Sequence, residues 1–194
     1  MIKELVRKTR SCRRFREEPI TMEQLKDLVD LARLSASAAN LQPLKYILSN
    51  ERERNSIIFT RLKWAAYLKD WEGPEEGERP SAYIIVLGDK GIANNFGCDH
   101  GISSQSILLG ATHMGLGCCI IGFVDREKLR SDLNISDQFE ILHVIALGKP
   151  GENIVIEDVK PDGDIKYWRD KEGTHHVPKR SLEDIIVGYI SGPK

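Results

Sequence analysis

The sequence predicts a sheet covered on both faces by helices. Three observations carry that prediction. Segments of helical periodicity alternate with short apolar runs as far as Leu147. The run Ala82 to Leu87 is continuously apolar and ends at Gly88-Asp89, the pattern of a strand buried on both sides. A long helical segment, Asp99 to Met114, interleaves small residues with large ones, as the middle of a domain or a subunit interface requires.

Ile2 to Lys8 is predicted as a short helix. After Pro19, Thr21 and Gln24 form a capping box for a second helix, Met22 to Leu34, whose Leu25, Leu28, Val29 and Ala32 share one face. The stretch SASAANLQPLKY, residues 35 to 46, breaks this pattern. It is too polar for a core strand and too poor in glycine for a flexible linker, and its small side chains let the backbone approach a neighbouring helix or a flat ligand. A strand follows at Lys45 to Ser49. Ile57, Ile58, Leu62, Ala65 and Ala66 then predict a helix within Glu51 to Asp70. WEGPEEGERPS, residues 71 to 81, is a long polar loop, either a lid or merely mobile. In the helix Asp99 to Met114, Gly101, Ser104, Gly110 and Ala111 leave room for another helix, and Gly115 with Gly117 ends it. Cys118 to Phe123 is extended, Asp125 caps a helix through Leu133, and Glu140 to Leu147 is a strand closing on Gly148-Lys149-Pro150-Gly151. The apolar segment Ile185 to Ile190 has to dock on something, in its own chain or in a partner.

With 29 acidic and 28 basic residues the net charge is -1, which removes any bulk electrostatic argument for a nucleic-acid partner. The apolar stretches are too short to span a membrane, and MIKELVRKTR at the start lacks an apolar signal region, so the expected location is cytoplasmic. The cysteines, Cys12, Cys98, Cys118 and Cys119, lack C-x-x-C spacing. Cys98, Asp99, His100 and His113 assemble no evident tetrahedral set, and no metal is expected. Cys118 and Cys119 read as packing residues, and His175 and His176 as solvated tail residues.

Familiar catalytic motifs fail in turn. GLGCCI at 115 to 120 lacks the third glycine of a dinucleotide fingerprint and follows a helix instead of a strand. Gly110 to Gly117 has no Lys-Ser or Lys-Thr of a P-loop, and Gly101-Ile-Ser-Ser-Gln lacks the last glycine of a nucleophile elbow. RSCRRF, residues 10 to 15, is more informative. Guanidinium forks match phosphate oxygens and a hydroxyl adds a further donor, although on charge alone such a cluster is usually a solvated face. Lys179 and Arg180 precede Ser181, whose spacing to Asp184 marks an N-cap, and a helix N-terminus beside cations also suits a phosphate.

RSCRRF, SASAANLQP (35 to 43), GLGCCIIGF (115 to 123), ALGKPGE (146 to 152) and PKRSLEDII (178 to 186), in that order, resemble the nitroreductase family of FMN-dependent oxidoreductases over nearly the whole chain. The resemblance implies an α+β fold, a three-layer α/β/α sandwich with a mixed, mainly antiparallel central sheet, in an intertwined homodimer with one FMN at each of two sites along the subunit interface. Residues 1 to 194 then form a single domain, with 152 to 194 an extension that wraps the partner subunit. By resemblance Arg10 and Ser11 correspond to the phosphate and ribityl contacts, joined by Lys179 and Arg180. Arg13 matches a position near the pyrimidine end, where a cation stabilises the negative charge of reduced flavin. Ala36, Ser37, Ala38 and Asn40 of one subunit lie against the isoalloxazine bound mainly by the other. Ile120, Ile121 and Gly122 match the extended segment under the ring, a backbone amide of which faces the flavin N5.

The chain departs from the family pattern at Thr9, where many members have a second arginine, at Ala36, where proline is usual, and at Ile121, where tryptophan commonly precedes the glycine. The implied activity is ping-pong transfer of hydride from NADH or NADPH, through bound flavin, to an oxidised small molecule such as a nitroaromatic, quinone or activated alkene. No side-chain acid or base is nominated. WAAYLKDW, residues 64 to 71, is expected as part of a lid or as a surface helix with exposed aromatics. Two other readings stay open: an FMN-binding sensor or carrier without NAD(P)H turnover, and a structural dimer whose arginines only form surface ion pairs.

Overall fold

The computed structural model describes residues 1–68, 70–160 and 163–190. The chain divides into two compact units, Met1–Gly151 and Glu152–Lys194. Lys69, inside the segment expected to be helical, and residues 161, 162 and 191–194 of the expected extension lie outside the described residues.

In the first unit, α1 (Ile2–Lys8) leads to β1 (Phe15–Arg16), α2 (Met22–Arg33), β2 (Leu44–Ser49), α3 (Arg52–Phe59) and β3 (Ala82–Asp89). There follow α4 (Asp99–His113), β4 (Gly117–Ile121), α5 (Arg126–Leu133) and β5 (Phe139–Pro150). β3 lies between β2 and β5; β5 pairs on its other edge with β4 over residues 144 to 148, and its end pairs with β1 at Lys149 and Pro150. These strand pairs are antiparallel, in registers such as Ile47 opposite Ile85, Ile84 opposite Ile145, and Cys119 opposite Ala146. The parallel component expected of a mixed sheet is confined here to an isolated bridge between Ser11 and Cys118.

Every residue of β3 is buried, as its unbroken apolar run requires. Ala82, Ile84 and Val86 join Leu25, Leu28 and Ala32 of α2 and Ile107, Leu108 and Ala111 of α4 in one apolar cluster. Gly110 lets the two helices meet: a Cβ there would stand 2.3 Å from Leu31 Cδ1. The helix ends follow local chemistry. At α2 the Gln24 N–H donates to Thr21 Oγ1 at 3.2 Å while the Thr21 N–H donates to Gln24 Oε1 at 2.9 Å. At α5 the Asp125 carboxylate accepts from the Lys128 N–H, and Asn134 closes the helix in the left-handed region at φ 52°.

The helix expected to reach Asp70 stops at Phe59. The Lys63 N–H donates to the Phe123 carbonyl at 3.0 Å, the Asp125 N–H to the Arg61 carbonyl at 2.8 Å, and Leu62 bridges Val124. Pairing with a segment sixty residues away thus replaces the next helical turn. Trp64 is buried between Phe59 and Trp71, at ring separations of 5.9 and 6.4 Å, so the expected surface helix with exposed aromatics is not formed.

In the second unit β8 (His175–Lys179) pairs in parallel with β6 (Ile154–Asp158) and antiparallel with β7 (Trp168–Arg169), and a short α6 (Leu182–Ile185) follows. The histidines expected in solvent are structural. His175 is fully buried. His176 has Nδ1 3.1 Å from Glu157 Oε2 and Nε2 3.0 Å from Asp170 Oδ2, and its ring stacks on Trp168 at 4.0 Å. Strand pairing, invisible in a pair of adjacent histidines, puts them there.

Candidate functional site

The first part of the site is assembled where α1 ends. The Thr9 hydroxyl donates to the Leu5 carbonyl at 2.8 Å and lies 3.0 Å from the Thr112 hydroxyl of α4. Arg10 folds back over the same helix end: its Nη2 donates to the Val6 carbonyl at 2.8 Å and its Nε to the Thr9 carbonyl. Carbonyls at a helix C-terminus favour a cation there. Partial burial lowers the Arg10 pKa, and among the described residues no carboxylate is paired with it. Ser11 is exposed and bridges Cys118, and the Cys12 N–H donates to the Cys118 carbonyl at 2.9 Å. The close approach depends on Gly117, since a Cβ there would stand 2.8 Å from Cys12 Sγ. Arg13, half-buried, donates from Nη1 to the Ser11 carbonyl at 3.3 Å. Residues a hundred positions apart in sequence, Arg10 to Arg13 and the start of β4, therefore lie side by side.

The far end of β4 carries Ile120, Ile121 and Gly122. Ile120 is 40% exposed and Ile121 is buried. The ladder with β5 ends at the pair Ile121 and Val144, leaving Gly122 exposed beyond it with open space where a side chain would project. Arg126 fixes this corner. It donates from Nη2 to the Gly122 carbonyl at 3.2 Å and the Leu142 carbonyl at 2.9 Å, and from Nε to the Ile141 carbonyl at 2.7 Å. Sequence reasoning passed over Arg126 because its acceptors are all main-chain atoms.

The loop of small residues forms the third part. Ala36, Ala38 and Asn40 are exposed and Ser37 is half-buried. Ala39, Asn40 and Gln42 all have positive φ, at 49°, 56° and 52°. The loop is held by Asp99, the first residue of α4: the Ser37 hydroxyl donates to Oδ2 at 2.6 Å and the Ala38 N–H to Oδ1 at 3.0 Å. Against it lies a cavity of about 330 Å³ whose lining includes Ala36, Ser37, Gln42, Tyr46, Asp99 and Ser103. Burial, opposed by a hydrogen bond with Ser103, raises the Tyr46 pKa and keeps its hydroxyl protonated. Asp99, weighed in the sequence only as a metal ligand, belongs to no metal cluster: among the described residues no group of three or more His, Cys, Asp or Glu could hold an ion.

Helix α4 separates the parts. Asp99 at its start and Thr112 near its end are thirteen residues apart, about 20 Å at the helical rise. The loop and the arginine motif of one chain consequently sit at opposite ends of the helix. Lys179 and Arg180 belong to the second unit, where both are exposed, and Ser181 after them caps α6 by accepting from the Asp184 N–H at 3.1 Å. Among the described residues no helix is long and apolar enough to cross a membrane.

The family model described as the Nitroreductase family matches residues 6–149. MhqN of Bacillus subtilis, which is named as an NAD(P)H nitroreductase, is 30% identical over 188 residues, covering 75% of this chain and 86% of that protein. A Methanothermobacter thermautotrophicus protein, named as an NADH dehydrogenase/NAD(P)H nitroreductase, is 31% identical over 157 residues, covering 77% and 78%. Among solved structures, a Desulfovibrio desulfuricans protein described as a nitroreductase in complex with FMN aligns with a TM-score of 0.70 over 98% of both chains, at 19% identity.

Proposed function

Because the chain belongs to the nitroreductase family, we propose that it is an FMN-dependent NAD(P)H oxidoreductase that reduces a small oxidised molecule, such as a nitroaromatic, quinone or activated alkene, in a ping-pong scheme. One observation carries the reading. Arg10, with no carboxylate partner among the described residues, and the exposed Ser11 are laid along β4, whose other end opens at Gly122. That set fits FMN, with donors for the phosphate at one end and an unobstructed backbone for a flat ring at the other.

Bound flavin supplies the acceptance and donation of hydride, and the protein supplies orientation and electrostatic tuning. Arg10 and Ser11 hold the phosphate and ribityl chain, with Lys179 and Arg180 as further cations. Arg13 provides positive charge near the pyrimidine end. Ile120, Ile121 and Gly122 present the backbone under the ring, with Arg126 keeping that corner in place. Ala36, Ser37, Ala38 and Asn40 cover the ring with little bulk.

A homodimer follows from the same reading. The arginine motif and the loop of one chain lie at opposite ends of α4, and in the proposed arrangement a single flavin takes the motif from one protomer and the loop from the other. Unmet apolar surface supports this arrangement: α1 buries no residue, Ile2 and Val6 are exposed, and so are Leu182, Ile185 and Ile190 after Arg180. In that assembly 152–194 wraps the partner, and the sheet, with α2 and α4 on one face, is the central layer of an α/β/α sandwich. Four free cysteines suit a cytoplasmic location.

The test is the visible spectrum of the purified protein followed by anaerobic titration with NADH and NADPH. Oxidised flavin bands at about one FMN per chain, bleached by a nicotinamide, are expected. A colourless protein that takes up no added FMN rejects the reading. Bound FMN that neither nicotinamide bleaches leaves a carrier or sensor instead of an enzyme.

A further inference from the structure

We propose that Asp99 is a positioning residue that holds the small-residue loop in its flavin-facing shape; the role rests on the FMN reading above. The loop needs such a hold. Ala39, Asn40 and Gln42 occupy left-handed backbone conformations at φ 49°, 56° and 52°, a region that side-chain-bearing residues populate unwillingly. Three such residues within four positions stay in place only where their surroundings over-determine them.

Asp99 provides that constraint. The residue is 3% exposed, and its carboxylate stands in the first turn of α4, where the helix dipole favours an anion. It accepts the Ser37 hydroxyl at 2.6 Å on one oxygen and the Ala38 N–H at 3.0 Å on the other. Ser37 Oγ in turn accepts the Gln42 N–H at 2.9 Å, closing the loop from 37 to 42 around the same carboxylate. The chain runs from a helix packed in the core, through a charge-assisted pair, to the three strained residues. Asp99 acts through the loop residues that it holds, Ser37 and Ala38, and through them on Ala36 and Asn40.

Asp99→Asn keeps the shape of the side chain but leaves one acceptor oxygen where two are used. Flavin binding by the full-length protein is compared for wild type, Asp99→Asn, Ser37→Ala and Ser37→Thr, with FMN and with riboflavin. Asp99→Asn and Ser37→Ala are expected to weaken both ligands by a common factor of about ten, because the loop meets the ring and not the phosphate. Ser37→Thr keeps the hydroxyl and is expected to bind within about twofold of wild type. Wild-type affinity in Asp99→Asn, or a loss confined to FMN, overturns the proposal. Amide hydrogen exchange of the flavin-free proteins separates this role from the cofactor reading: faster exchange at Ala38 and Gln42 in Asp99→Asn is expected, and unchanged exchange overturns the proposal even if the wild type takes up no flavin.

Discussion

His143 Nε2 lies 2.7 Å from the Ser104 hydroxyl, and both residues are buried between β5 and α4. Burial, and after it the electrostatic influence of neighbouring His100 and Arg126, lowers the His143 pKa to about 4. The fold therefore holds this imidazole neutral, whereas the unfolded chain protonates it at about pH 6.5. Between those values the unfolded state binds the extra proton, so stability is complete at neutral pH and declines as pH falls toward 4, by roughly 3 kcal/mol at the limit. Urea unfolding at several pH values should show His143→Gln losing less stability on acidification than wild type. Parallel pH profiles for the two proteins contradict this account.

His176 has the opposite sign. The hydrogen bond to Asp170, followed by that to Glu157, raises its pKa; Asp170 is held below its ordinary value chiefly by the His176 hydrogen bond, and Glu157 chiefly by that from the Trp168 indole and then by His176. Stability from the charged clamp is thus fully present below the unfolded pKa of about 6.5 and is lost as pH rises through the raised folded value. Lys160, over the Trp168 ring at 5.7 Å, is a further cation of this cluster and helps to hold Glu157 ionised. Hydrogen exchange across residues 154 to 179, followed from about pH 6 to about pH 9 after correction for intrinsic rates, is expected to show β8 opening more readily at the alkaline end. Replacing His176 with Gln should remove that dependence, and its persistence in the variant would assign it elsewhere.

These two histidines mark the boundary of what the sequence discloses. Local chemistry made α2, α5 and α6 readable, because Thr21, Asp125 and Ser181 each lie three residues from the N–H they cap. Burial made β3 readable from an unbroken apolar run. The end of α3 was not readable, because Arg61 and Lys63 find their partners at Asp125 and Phe123. Asp99 was equally hidden, its partner Ser37 being 62 positions away. The arginine motif, the loop and the end of β4 could be named from resemblance, but the supports that shape them, Asp99, Arg126 and Thr112, arise from tertiary contacts.

Gly110 offers a test of helix packing. On helix propensity alone Gly110→Ala should stabilise α4 by about 1 kcal/mol. The added Cβ would stand 2.3 Å from Leu31 Cδ1 and 3.0 Å from Leu28 Cδ2, and overpacking of this kind costs about 1 to 3 kcal/mol. The expected result in urea is net destabilisation, relieved by Leu31→Ala in the double variant. A more stable single variant shows instead that α2 shifts freely.

Arg10 tests the anion site directly. Arg10→Ala removes the cation poised on the carbonyls of Val6 and Thr9. FMN affinity is expected to fall about ten- to a hundredfold, and riboflavin affinity to stay near that of wild type, because only FMN carries the phosphate. An equal loss for both ligands points to collapse of the α1 end, and no loss for either returns Arg10 to the solvated surface.

The exposed tail decides the assembly. Val187 and Ile190 are as exposed as in an extended chain, at 102% and 107%, in a segment too apolar to be left in water. If each tail is covered by a partner, Val187→Asp with Ile190→Asp places two charges inside an apolar interface, where desolvation is costly. If the tail is free, the same charges are solvated and change stability by no more than about 0.5 kcal/mol. Sedimentation is expected to give a dimer for wild type and a monomer for the double variant, with FMN lost together with the dimer under the proposal that each flavin draws on both chains. A double variant that stays dimeric and yellow removes the tail from the interface and leaves α1, with Ile2 and Val6, as the surface to test next.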